Sequence, residues 1–490
     1  MCEPSRRPLS VAEARHRGGG TPKSVADVPR PAGTGSSGTA GKAAPCPAEA
    51  GVPRPAGTGS SGPAVGTPSE PGPYGSRAAV PAERAAAAGG ARSSDLTADV
   101  LVVGGGLIGL VTAWRSAQAG RRTVVADPAP GGGAALVAAG MLAPVTELHY
   151  DERALLDLSL ASAARYPEFV TEVEQAAGLD TGYRTCGTLA VALDADDRAQ
   201  LRELHAFQQQ LGLASQWLTG RECRGLEPLL APGVRGGLRV DGDHQVDPRR
   251  LAGALLRAAE LAGVEVVRRR VVRLRCAGGA VTGAELDGGA RVSAGRTVLA
   301  AGSESGRIAG LPPEALPPVR PVKGQVLRLR MPAAGPPFLS RTVRAVVRGS
   351  DVYLVPRENG ELVLGATSEE LGWNTEVTAG GVYRLLRDAH ELLPGITELP
   401  LAEALAGLRP GSPDNGPLLG PTRLPGLLLA TGHHRNGVLL TPATGDVMAL
   451  ALDGAELPPY ARPFAADRFD APPGGRNGAR GGRRTEEQRV

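Results

Sequence analysis

The chain has 490 residues, enough for two domains with a sizeable core, and holds 69 glycines, 43 prolines and five cysteines. Its formal charge of +4 belongs to its ends: residues 1–96 carry eleven basic and seven acidic side chains, residues 472–490 carry five and two, and the span between is net acidic. This balance excludes a basic nucleic-acid surface on the folded part, the scattered cysteines lack metal or disulfide spacing, and no apolar run reaches the roughly eighteen residues of a membrane span.

Residues 1–95 are built from Gly, Pro, Ala, Ser and Thr, and VPRPAGTGSSG stands at Val28 and again at Val52. Such a segment buries too little apolar surface to offset its chain entropy, so it is expected to be a disordered extension. Its start lacks the apolar stretch of a secretory signal, and its seven acids argue against an organelle leader. With the scattered cysteines, this points to a reducing, cytoplasmic setting.

The folded pattern opens at Asp99 with DVLVVGGGLIGLVTAWRSAQAGRRTVVAD. Val100–Val103 reads as a buried strand, and Gly104, Gly106 and Gly109 fill the three glycine positions of GxGxxG. A helix carries Leu107, Leu110, Val111 and Trp114 on one side and stops at Gly120. Thr123–Ala126 is the second strand, and Asp127 follows the glycines at about the distance where an acid accepts hydrogen bonds from a ribose. The unit predicts dinucleotide binding, with either a nicotinamide or a flavin.

PAPGGGAALVAAGMLAPV follows as a loop with little side-chain bulk, suited to backbone that passes close to a ligand. Asp151–Ala177 is predicted helical, Thr185–Leu193 a strand, and Asp194 caps the next helix. Asp247-Pro248 opens another helix with an N-cap and an N1 proline, which ends at Gly263 before the strand Val264–Val267. Val271–Leu274, a turn near Gly278 and Thr297–Ala301 return to the first domain, and Gly302 ends that last strand where backbone can meet a cofactor. Lys323–Arg330, Ala345–Val347, Asp351–Pro356 and Glu361–Ala366 read as an antiparallel sheet. Val382–Leu393 is a helix, Leu408–Gly411 and Asp414–Gly420 an irregular loop, and Leu427–Ala430 a buried strand before TGHHRNGVLLTPATG and a helix through Met448. Residues 472–490 form an Arg/Gly tail expected to be disordered.

Among polar candidates, Arg409 reads on the residues alone as a surface arginine, while its LRPG context suits a planar bidentate fork that binds a carboxylate. On the residues alone Tyr353 in VYLVP reads as a packed tyrosine, and Arg435 either braces the HRNG turn or meets substrate. His433 and His434 invite a metal or general-base reading, but no carboxylate or cysteine cluster accompanies them, so no metal is expected.

The strings VVGGGLIG, AAGMLAP, VYLVPR…LVLGAT, LRPGSPDNGP and GHHRNGVLLTPATG, in that order over Asp99–Leu452, resemble the FAD-dependent glycine oxidases of thiamine biosynthesis, within the D-amino-acid oxidase and sarcosine oxidase group. The resemblance implies an α/β (α+β overall) fold: a Rossmann-like FAD-binding domain from residues 97–180, 241–310 and 403–465, and an antiparallel-sheet substrate domain from 181–240 and 311–402. It implies non-covalent FAD, since no attachment motif is present. By similarity Leu107, Ile108 and Asp127 contact its ADP part and Val271 meets adenine through its backbone. Ala139, Gly140 and Met141 line the flavin, and His433, His434, Arg435, Asn436, Gly437, Val438 and Leu439 wrap the isoalloxazine. Arg409 is implied to hold the substrate carboxylate, with Tyr353 beside it and Arg435 near the amino group. The implied reaction is hydride transfer from Cα of glycine or a similar amine, giving an imine, then glyoxylate and ammonia, with oxygen becoming hydrogen peroxide. A sarcosine or D-amino-acid oxidase or dehydrogenase fits the same pattern, and a homo-oligomer is expected. The family usually has Ser or Thr before AAGM, where this chain has Ala134, Ala135 and Leu136, so hydroxyl contacts to a pyrophosphate there are in question.

Overall fold

The computed structural model describes residues 95–470, apart from Pro336 and Arg348. The expected disordered segments therefore lie outside the described residues, save Asp95. Strand Leu96–Val103 sits at the centre of an eight-stranded sheet, paired in parallel with Arg291–Leu299 on one side and Thr123–Ala126 on the other. Parallel pairing continues outward to Leu427–Thr431 and Glu265–Val267. Parallel strands need crossover connections, and helix Leu107–Gln118 supplies the first. Its Leu110, Val111 and Trp114 pack with Leu251 and Leu255 of helix Pro248–Leu261 and with Met448 and Leu452 of helix Thr441–Asp453. Asp247 caps helix Pro248–Leu261 as expected, accepting from the N–H groups of Arg249 (2.9 Å) and Arg250 (3.3 Å).

A second sheet of eight strands runs in the order Leu401–Gly411, Arg320–Arg330, Glu361–Gly365, Ser350–Pro356, Thr342–Val347, Thr188–Ala192, Gly236–Val240, Gln216–Thr219. All its pairings are antiparallel except that of Thr342–Val347 with Thr188–Ala192. Helix Ala379–Leu392 buries Leu385, Ala389 and Leu392 in its core. The two-sheet α/β fold is thus the one expected. Among the described residues no helix is long and apolar enough to cross a membrane.

Three details correct the sequence reading. Leu408–Gly411 is not an irregular loop but the end of the eleven-residue strand Leu401–Gly411. That strand pairs with Arg320–Arg330, so the boundary drawn at residue 403 falls inside a strand of the second sheet. The turn near Gly278 leads into a strand, Ala280–Leu286, that was not anticipated, and the following strand begins at Arg291 rather than Thr297.

Candidate active site

The glycine turn is shaped by contacts no side chain could survive. Gly104 has φ +106°, and a Cβ there would lie 2.4 Å from the carbonyl oxygen of Ala300. A Cβ on Gly109 would stand 1.9 Å from the carbonyl of Gly104, so this glycine sets the helix against the turn. Gly106 differs: a Cβ there would meet nothing within 4 Å, because it faces a cavity. The helix it starts has no side-chain cap, which leaves N–H groups and the positive dipole end for an anion. Asp127 accepts from the N–H of Gly105 (2.7 Å) and of Ala129 (2.7 Å), tying the turn to the second strand. Each carboxylate oxygen keeps a lone pair for a ribose hydroxyl.

From this turn a cavity of about 1080 Å³ runs between the two sheets. It is lined by Gly104, Gly106, Leu107, Ile108, Asp127, Ala139, Gly140, Met141, Val271, Gly302, Tyr353, Arg409, His433, His434, Arg435, Gly437 and Val438. Three anticipated residues lie elsewhere. Gly109 is the packing glycine just described, while Asn436 and Leu439 line a small adjoining cavity.

The loop carrying Ala139 and Gly140 is held by arginines. Buried Arg357 donates to the carbonyls of Ala139, Val246 (2.8 Å) and to Oε1 of Gln245 (2.8 Å). The carbonyl of Leu136 accepts from Arg249 (3.0 Å) and Arg328 (3.2 Å). Burial lowers the Arg357 guanidinium to about 10, and it remains protonated at neutral pH. Ala134 and Ala135 themselves line the cavity, so these two positions offer it backbone and methyl groups but no hydroxyl.

Arg409 lies across the backbone of Gly324, where a Cβ would fall 2.4 Å from its Nη1. Tyr353 lies the same way over Gly365, with its hydroxyl 2.4 Å from that glycine's ideal Cβ. Burial raises the Tyr353 phenol against the opposing effect of Arg409, so it is a neutral hydroxyl. Arg344, directly opposite Tyr353 in the strand pairing, also lines the cavity and is ion-paired with Glu147 at 3.1 Å. Arg435 is ion-paired with Glu152 at 2.5 Å. Among the described residues, Arg409 alone of these three guanidiniums has no carboxylate partner. Gly324 and Gly365 carried a sequence signal, since isolated glycine in a strand marks close approach. Arg344 and Glu147 carried none, because only tertiary pairing joins them.

His433 and His434 are both neutral. Burial takes His433 down to about 3, and its Nε2 meets Thr444 Oγ1 at 3.0 Å. Burial, with Arg435 and Arg409 close by, takes His434 to about 4. Its Nδ1 is buried with no hydrogen-bond partner. An orphaned nitrogen on the cavity wall, an uncapped helix start and the open space before Gly106 suit a bound group with polar atoms along its length. No group of three or more metal-ligating side chains occurs among the described residues.

A dinucleotide cradle on one sheet and a cationic, aromatic pocket on the other define a cofactor-dependent oxidoreductase. Residues 99–451 match the family described as DAO: FAD dependent oxidoreductase. The chain belongs to that family, and its cofactor is FAD. It is 34% identical over 376 residues to glycine oxidase of Geobacillus kaustophilus, covering 76% of this chain and 97% of that one. It is 36% identical over 377 residues to the bifunctional protein ThiO/ThiG of Synechocystis sp., covering 76% of this chain and 54% of the relative. The chain thus spans about half the length of the bifunctional relatives it matches. The crystal structure of the Geobacillus kaustophilus glycine oxidase superposes with a TM-score of 0.70 at 32% identity, covering 76% of this chain and 99% of that one.

Proposed function

We propose that this chain oxidises glycine and similarly small amines bearing one carboxylate, and that the imine product serves thiazole synthesis in thiamine formation. The observation that carries this reading is Arg409, a guanidinium on the cavity wall beside Tyr353 with no carboxylate partner of its own. A planar fork facing a cavity suits a carboxylate, and it fixes orientation as well as affinity. FAD, when bound, supplies a two-electron acceptor for the hydride leaving Cα. The protein then needs little acid–base machinery: Arg409 holds the carboxylate, the Tyr353 hydroxyl sits beside it, and the cavity positions Cα.

Arg435 is braced by Glu152 and by the Glu147 carbonyl at 3.3 Å, so a contact to the amino group is secondary to shaping the turn. Water hydrolyses the imine to glyoxylate and ammonia, and oxygen accepts the electrons as hydrogen peroxide. A cytoplasmic homo-oligomer is the setting this reading takes; the free Cys186, Cys223 and Cys276 suit the reducing compartment and do not bear on the oligomer. An oxidase or dehydrogenase of sarcosine or of a D-amino acid is the second reading, and a panel of small amines separates them.

The decisive test is Arg409→Ala. Charge-assisted bonds contribute about 1.5–3 kcal/mol each, so losing the fork should lower kcat/KM for glycine about a hundredfold or more. Flavin content should stay unchanged, and slow oxidation of ethylamine, which has no carboxylate, should be unaffected. Equal losses for both amines would remove the carboxylate assignment.

A further inference from the structure

Behind Arg409 lies a polar cluster that the substrate contacts leave unexplained. Its Nη1 donates to the carbonyls of Lys323 (3.3 Å) and Thr367 (3.1 Å). These residues belong to separate segments, yet their side chains converge on one carboxylate. Glu369 Oε1 accepts from the Thr367 hydroxyl (2.5 Å) and from Gln325 Nε2 (2.7 Å), and its Oε2 stands 3.7 Å from Lys323 Nζ. The backbones are joined as well, with Lys323 and Glu369 exchanging N–H to carbonyl bonds at 2.8 and 3.0 Å. Thr367 donates its N–H to the Gln325 carbonyl (3.2 Å), and its hydroxyl oxygen accepts from the Gln325 N–H (2.9 Å).

Lys323 is fully buried, and its other side-chain partner is Asn374 Oδ1 at 2.8 Å. A buried ammonium stripped of its counterion is strongly destabilised. Partial burial would raise the Glu369 carboxyl, but the Thr367 and Gln325 hydrogen bonds and the Lys323 charge outweigh it and hold it below the usual range. Thr367 and Ser368 line the cavity and Glu369 does not, so its carboxylate stands behind the wall that Arg409 faces.

We propose that Glu369 is a positioning residue for the substrate carboxylate: it locks Lys323 and Thr367 so that their carbonyls aim the Arg409 guanidinium. The inference rests on the reading of Arg409 given above. Glutamine at this position keeps the size but removes the charge that Lys323 and two hydrogen-bond donors share. The Lys323 and Thr367 carbonyls then slacken, and the fork loses its fixed direction without leaving the site.

The test uses the full-length, FAD-loaded protein with Glu369→Gln, Glu369→Asp, Arg409→Ala and the double variant Arg409→Ala/Glu369→Gln. Acetate, a carboxylate without an amine, is titrated against the flavin absorbance, and flavin reduction by glycine and by ethylamine is timed. Glu369→Gln should weaken acetate and raise the glycine KM by about tenfold, the scale of one charge-assisted bond. The maximal rate and ethylamine oxidation should stay within about twofold of wild type, as expected when binding rather than chemistry is lost. Glu369→Asp should recover part of the loss, and the double variant should bind acetate no more weakly than Arg409→Ala. Wild-type acetate affinity in Glu369→Gln, additive losses in the double variant, or equal losses for both amines would overturn the inference. If Arg409→Ala loses acetate while Glu369→Gln does not, only this inference falls. If Arg409→Ala binds acetate normally, the carboxylate reading falls and takes the inference with it.

Discussion

Gly324→Ala places one methyl group against the functional guanidinium, whose atoms are the three nearest to it. The new Cβ would lie 2.4 Å from Nη1, 2.5 Å from Nη2 and 2.6 Å from Cζ of Arg409. The obstacle is the far end of a flexible side chain, so the strand survives and the guanidinium moves. Restoring ordinary contact requires a retreat of about 1 Å, which stretches the bonds at 3.1 and 3.3 Å beyond useful hydrogen-bond length. A displacement of about 1 Å at a positioning group costs on the order of a hundredfold in rate. The expected outcome is a ~10- to 100-fold fall in kcat/KM for glycine, with flavin content, Tm and ethylamine oxidation unchanged. Anaerobic bleaching of the flavin by each amine measures this without assuming the natural electron acceptor. A Gly324→Ala protein that reduces its flavin with glycine at the wild-type rate would refute the geometry. So would one that loses glycine and ethylamine equally.

Two further outcomes follow from groups away from the substrate. Gly104→Ala combines a positive φ with a Cβ 2.4 Å from backbone oxygen, so it should cost about 3 kcal/mol or more and yield protein with little bound FAD, read as the flavin-to-protein absorbance ratio. Buried Asp243, which accepts from Val145, Thr146 and the Thr146 hydroxyl, is raised by burial from 3.8 to about 6. The folded state therefore holds this proton more tightly than the unfolded one, and its stability contribution is greatest below pH 4 and falls as pH rises through 6. The fall should be about 3 kcal/mol, and urea midpoints between pH 4 and 7 should show it in the wild type and not in Asp243→Asn. Parallel profiles would contradict the assignment.

What the chain disclosed by itself was local. The unit from Val100 to Asp127 was readable because glycine spacing, an apolar run and a helix stopped by Gly120 all lie within thirty residues. Helix Pro248–Leu261 was readable because Asp247 and Pro248 announce it. Strand Leu401–Gly411 was hidden because Pro410 and Gly411 look like strand breakers. In the fold Pro410 pairs opposite Pro321 on an edge strand, where a missing N–H matters least. Ala280–Leu286 was hidden by Gly283, whose φ of +133° lets it pass the carbonyl of Val292 where a Cβ would lie 1.9 Å away. On the cavity wall the family strings led to Arg409 and Tyr353. The cross-strand neighbour Arg344, its partner Glu147 and the Lys323–Glu369 cluster depend on register between distant segments, which periodicity does not report.

The arginines that clasp the loop over Leu136–Gly140 have a consequence for engineering. Arg249 comes from a helix of the first sheet, Arg328 and Arg357 from the second, and two of the three are neutralised by Glu403 and Glu361. The loop's shape is thus written in residues more than a hundred positions downstream of it. Transplanting the AAGMLAP segment from a relative would carry its letters and leave its scaffold behind. Trading one of these arginines alone would take a donor from a loop carbonyl, so the loop and its clasp have to be altered together.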